Sequence, residues 1–129
     1  MSALQNKPRA FKTKRFSKTA GDALISDLDL CTAVKEVMAG QADDLGGGVY
    51  KKRINKNEHR SVLLAKGGKL WIYQHLFAKK DTANISQVEL QTFKQLAKVY
   101  EKLSTEQLTH LIDSKDLQEI CNEQEKIQK

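Results

Sequence analysis

Large hydrophobic and polar side chains alternate most regularly in the middle of the chain. There Trp71, Tyr73, His75 and Phe77 interleave with Leu70, Ile72, Gln74 and Leu76. A two-residue period in β-prone residues predicts a strand, and apolar side chains on both of its sides place it inside a sheet. The aromatic residues on such a strand are expected in the core, His75 among them, rather than stacked on a ligand. Two further strands are predicted, at 49–54 and 59–66, with this one spanning 69–77. Gly67-Gly68, between Lys66 and Lys69, is the signature of a two-residue hairpin whose central residues need positive φ.

Helical spacing takes over on both sides of this meander. Ala10–Thr13 is expected as a short edge strand leading into a helix that starts near Lys14 or Arg15, anchored by Phe11 and Phe16. Ser26 is a predicted N-cap, with Asp27 and Asp29 in the first turn where the helix dipole favours anions. Leu30, Val34, Val37 and Met38 form its apolar stripe beside Cys31, and Gly40 ends it. The two helices make a hairpin with an acidic polar face. Gln41–Gly48 is expected as a loop; its glycine triplet precedes a strand and lacks GK[ST], so it is no nucleotide cradle. Ser86–Glu89 and Ser104–Gln107 are capping boxes that open two C-terminal helices. Leu90, Phe93, Leu96, Ala97, Tyr100 and Leu103 are the buried stripe of the first, and Leu117–Cys121 adds a strand or turn. The fold class is therefore α+β: an N-terminal helical hairpin packed on a small antiparallel sheet and closed by C-terminal helices. One domain spans 10–121, between a flexible basic arm (1–9) and a polar tail (122–129).

Charge changes this picture from a scaffold to a candidate surface. Residues 49–80 carry nine basic side chains against one acid, Glu58, whereas residues 20–48 carry six acids and one base. The net charge of +6 understates that segregation. Cations fixed on a sheet suit a phosphodiester backbone, because each neutralises a phosphate and releases counterions. No apolar run approaches a bilayer span, and no apolar segment follows the N-terminal basic residues as a secretory signal requires. The expected location is the cytoplasm, without a membrane partner. Cys31 and Cys121, ninety positions apart and without a metal-ligand spacing, are expected as two separate thiols in a reducing compartment. No metal or cofactor is expected.

Five segments in order carry a resemblance. FKTKRF at 11–16, SDLDLCTAVKEVMAG at 26–40, LGGGVYKKRI at 45–54, HRSVLLA at 59–65 and FAKKDTANIS at 77–86 together resemble the RelE/ParE superfamily of toxins, and within it the RelE-type, HigB-like branch. The resemblance covers about residues 10–121. It implies a type II toxin that cuts mRNA, commonly on the ribosome, without a metal. In that chemistry the RNA's own 2′-OH attacks the adjacent phosphate while protein cations hold it. It also implies a cognate antitoxin, a helix-turn-helix protein of the HigA-like kind.

Carried onto this sequence, the resemblance implies that Lys52, Arg53, Arg60 and Lys79 form the catalytic cation set. Lys51, Lys56 and Lys80 would bind flanking RNA phosphates, and Arg60 would grip the scissile one. Lys66 and Lys69, at the hairpin, are expected as solvated surface residues. His59 stands where relatives carry a tyrosine, and no aromatic or histidine follows near the C-terminus. His59, adjacent to Arg60, is the candidate for proton transfer ahead of His75 and His110, because imidazole exchanges protons near neutral pH. Strand alternation counts against it, since residues 59 and 60 point to opposite faces. A gyrase-poisoning toxin of the ParE type and a non-catalytic nucleic-acid-binding remnant remain alternative readings on the same scaffold.

Overall fold

The computed structural model describes residues 7–82 and 84–121. The expected N-terminal arm and C-terminal tail lie mostly or wholly outside that range, although Arg9 already belongs to the first strand. Ten elements follow in order: β1 (Arg9–Thr13), α1 (Lys14–Asp22), α2 (Asp27–Met38), β2 (Asp43–Gly46), β3 (Val49–Ile54), β4 (His59–Lys66), β5 (Leu70–Ala78), α3 (Gln87–Glu101), α4 (Thr105–Asp113) and β6 (Leu117–Ile120). The strands form one sheet in the order β2-β3-β4-β5-β1-β6. The α+β class and the three-stranded meander are as the periodicity predicts, and β5 is indeed interior, flanked by β4 and β1. Gly67 and Gly68 both have positive φ (57° and 73°), the geometry of a primed hairpin turn.

Three expectations are corrected. β1 is no edge strand: it lies between β5, which it pairs in parallel, and β6, which it pairs antiparallel. The sheet is therefore mixed rather than wholly antiparallel. Ala10 and Phe11 point to opposite faces and both are buried, so β1 needs cover on each side. The loop expected at Gln41–Gly48 instead contains β2, paired with β3. Gly46, Gly47 and Gly48 all take positive φ and reverse the chain in a tight connection. A Cβ on Gly48 would meet the Ala65 carbonyl oxygen at 3.0 Å, so the backbone closes there with no room for a side chain.

The third correction concerns the cysteines. Cys31 on α2 and Cys121, just after β6, are joined as a disulfide, with their Cα atoms 5.2 Å apart. Sequence distance concealed this contact, because β6 returns beside β1 and brings the end of the domain onto α2.

Helices cover both faces of the sheet. On one, α1 and α2 pack through Phe16, Ala20, Leu30, Val34 and Val37 against Leu63, Trp71, Tyr73 and Ile120. The buried Tyr73 hydroxyl donates to the Leu30 carbonyl at 2.7 Å, fixing α2 to β5. On the other face, α3 lays Phe93 and Ala97 over Val49, Val62, Leu64 and Phe77. α4 covers Phe11, Ile72 and Leu117 with Leu108, Leu111 and Ile112. Serines 26, 86 and 104 cap α2, α3 and α4, each in a reciprocal capping box. These boxes satisfy backbone donors that a helix start leaves without partners.

Candidate functional site

Alternation along β3 divides its cations between the two faces. Val49 lies in the core under α3, and the partly buried Tyr50 packs against the core under α1 and α2. Lys51 and Arg53 therefore share the α3 face, and Lys52 belongs to the other. The side-chain partners agree. Lys52 Nζ is 2.9 Å from Glu36 Oε1 of α2 and donates to the Gln41 carbonyl at 2.9 Å. Lys51 Nζ donates to Asn84 Oδ1 at 3.1 Å, just ahead of α3, and lies 3.7 Å from Asp43 Oδ2.

On β4, Arg60 stands directly opposite Arg53 on one side and Phe77 on the other. Its residue exposure is only 9%. Its Nη1 donates to the Asn57 carbonyl at 3.0 Å and to the His59 carbonyl at a longer 3.4 Å. Among the described residues no carboxylate lies within ion-pair distance of Arg60 or Arg53. Like charges directly across a strand pair repel, and a buried charge without a counterion costs free energy. An anion placed between the two guanidinium groups would relieve both costs.

The β3–β4 connection frames this pair. Asn55, Lys56 and Asn57 all have positive φ (55°, 55° and 70°), which asparagine tolerates and lysine does not readily adopt. The Lys79 N–H donates to the Glu58 carbonyl at 2.9 Å, so the connection abuts the turn that follows β5. Lys56, Lys79 and Lys80 are all exposed on these neighbouring loops. Replacing Lys56 with glycine should relieve the left-handed strain and stabilise the fold by about 1 kcal/mol. Urea unfolding of the Lys56→Gly variant measures this; a loss of stability would show that the lysine side chain holds the loop.

His59 does not join the arginine pair. It pairs with Ile54 and Ala78 across the sheet, and its Nδ1 lies 3.0 Å from Asn55 Nδ2. It borders a cleft with Asp22, the last residue of α1, and its C-cap Ala23. His110 lies on α4, beside Leu103 and Gln107. His75 is on the arginine face: it stands opposite Val62, one alternation from Phe77, with its ring 5.8 Å from that of Phe77 and 5.6 Å from Phe93. It is half-buried rather than enclosed as the sequence suggests. Burial lowers its proton affinity below the ordinary 6.5; Glu89 pulls it upward and Arg15 pushes it further down.

The fold thus brings together Lys51, Arg53 and Arg60 on one face, with Lys56, Lys79 and Lys80 on the bordering loops. It turns Lys52 and His59 to the opposite face. The i, i+2 spacing of Lys51 and Arg53 is the signal that separates them from Lys52. The charge pattern does not single out Asn84 and Arg15, though both lie within the resembling segments, and the sequence places His75 behind His59 as a candidate for proton transfer. Lys66, expected as a solvated residue, donates to the Leu103 carbonyl at 2.7 Å and so ties the hairpin to the end of α3. Among the described residues no three His, Cys, Asp or Glu side chains gather as a metal-ligand set. No helix among them is long and apolar enough to cross a membrane.

Comparison with known proteins adds one finding. A family described as RelE toxin of the RelE/RelB toxin–antitoxin system matches residues 8–120, nearly the whole domain. No curated protein and no solved structure matches the chain.

Proposed function

Because the chain belongs to the RelE toxin family, and is thus a toxin of a toxin–antitoxin system with an antitoxin as its partner, we propose that it arrests growth by cutting mRNA at the Arg53–Arg60 pair. The observation that carries this reading is Arg60 itself: a largely buried residue directly opposite another arginine across the strand pair, with no carboxylate within ion-pair distance among the described residues. A phosphodiester supplies the missing charge, and a guanidinium offers it two parallel donors. Arg60 holds the scissile phosphate and Arg53 its second oxygen. Lys51 exchanges Asn84 for the RNA, while Lys56, Lys79 and Lys80 hold flanking phosphates.

The 2′-oxygen attacks phosphorus, a 2′,3′-cyclic phosphate forms, and the 5′-oxygen of the next nucleotide leaves. Negative charge grows on the phosphoryl oxygens as this happens, and fixed cations stabilise it without reorganising. Lys52, paired with Glu36 on the opposite face, anchors α2 to the sheet instead of touching RNA. The reading extends to a ribosome-bound message as substrate and a helix-turn-helix antitoxin of the HigA-like kind as the inhibitor.

The test is cleavage of a reporter message on ribosomes by the purified protein, together with RNA affinity over a range of salt. Binding should weaken steeply with salt. Arg53→Ala and Lys79→Ala should each reduce the log–log slope by about 0.7, the value for one contact to a single strand, while Lys52→Ala leaves it unchanged. Salt-independent binding, or a Lys52→Ala variant with the largest loss, would remove the arginine face from the account. Damaged DNA with an intact message would transfer the reading to gyrase poisoning.

A further inference from the structure

The geometry points to His75 as the group that takes the proton from the attacking 2′-hydroxyl, a role that rests on the ribonuclease reading above. His75 and Arg60 occupy the same face of neighbouring strands, diagonal to one another, because Arg60 is opposite Phe77 and Val62 is opposite His75. Diagonal neighbours on an antiparallel pair lie within reach of a shared ligand about the size of a ribose phosphate. A phosphate held by Arg60 therefore presents its ribose toward β5, where His75 stands at the edge of the helix-covered core. No described protein group hydrogen-bonds to either ring nitrogen of His75, whereas His59 is engaged by Asn55 on the opposite face.

The charged surroundings of His75 match the role. Glu89, in the first turn of α3, and Arg15, in the first turn of α1, are the charged side chains whose fields act on it, the first raising and the second lowering its proton affinity. β4 brings the uncharged Val62 opposite it and Arg60 on the diagonal. Phe77 and Phe93 flank the ring and restrict its motion. Burial and the arginine favour neutral imidazole near pH 7, the form that a general base needs. In the step itself the 2′-hydroxyl proton passes to a ring nitrogen as the 2′-oxygen bonds to phosphorus. The bond from phosphorus to the 5′-oxygen breaks, and the leaving oxygen takes a proton from water. The negative charge of Glu89 favours the imidazolium that results, and loss of the imidazolium proton to solvent resets the site.

The test uses the full-length protein on ribosome-bound message, with His75→Gln and His75→Ala beside the wild type. His75→Gln should lower the single-turnover cleavage rate by about 10²–10⁴, with unchanged affinity for a message carrying a 2′-deoxy nucleotide at the scissile position. The wild-type rate should fall on acidification as the imidazole is protonated, and the variant should lack that limb. Added imidazole should restore part of the His75→Ala rate, which it would not do for a packing residue. A folded His75→Gln protein that keeps the wild-type rate and acid limb overturns the assignment while leaving the cation reading in place. So does a folded His75→Ala protein that imidazole fails to rescue. A wild-type protein that cuts no message overturns both.

Discussion

Arg60→Ala is expected to slow message cleavage by about 10²–10³, the usual cost of removing one fixed donor to developing charge, and so to abolish growth arrest. The same substitution should leave stability unchanged or slightly raised. It removes a buried charge whose two acceptors are backbone carbonyls of its own hairpin, and it relieves repulsion from Arg53. Loss of activity without loss of stability is the mark of a residue kept for function at a cost to the fold. Arg60→Lys should recover only part of the rate, since lysine keeps the charge but not the planar two-point grip. Cleavage of a reporter message, with urea unfolding of each variant, measures both effects. A folded Arg60→Ala protein that cuts at the wild-type rate places the active site elsewhere.

The second large effect is on stability. Reduction of the Cys31–Cys121 disulfide opens a covalent loop that joins positions ninety residues apart. Closing so long a loop removes much of the unfolded chain's freedom, so its loss should cost about 2–5 kcal/mol. Cys31 is 4% exposed on α2, and Cys121 directly follows β6, so the link also holds β6 against α2. Denaturant unfolding with and without reductant measures the effect, with mass spectrometry confirming the oxidised state. Equal stability of the two verified forms would contradict it. Arg53 and Arg60 lie at the far side of the sheet from β6, so reduction should leave RNA affinity unchanged under conditions where the protein remains folded.

Local rules made most of the fold legible in the sequence. Capping serines, the Gly67-Gly68 turn and the two-sided apolar strand act over a few residues, and each element they predict is present. What escaped depends on contacts between distant segments. The parallel pairing of β1 with β5 joins segments far apart in the chain, and the disulfide follows from β6 returning beside β1. β2 escaped because Asp43, Asp44 and three glycines read as a loop, yet those glycines provide the reversal that pairs it with β3.

The candidate site was legible as a charge cluster but not as a surface. Counting bases groups Lys51, Lys52 and Arg53 together, whereas a strand separates them by alternation and leaves Lys52 to Glu36. The same alternation separates His59 from Arg60. The register of β5 against β4, shifted between Val62 and Leu63, is what sets His75 on the arginine face, and no local pattern encodes that shift.

Mapping of new RNA ends after induction without antitoxin, with DNA integrity followed in the same cells, tests the central claim most directly. The account predicts fresh breaks within messages, with a 2′,3′-cyclic phosphate upstream and a 5′-hydroxyl downstream, and undamaged DNA. Growth arrest with intact messages and broken DNA would contradict it.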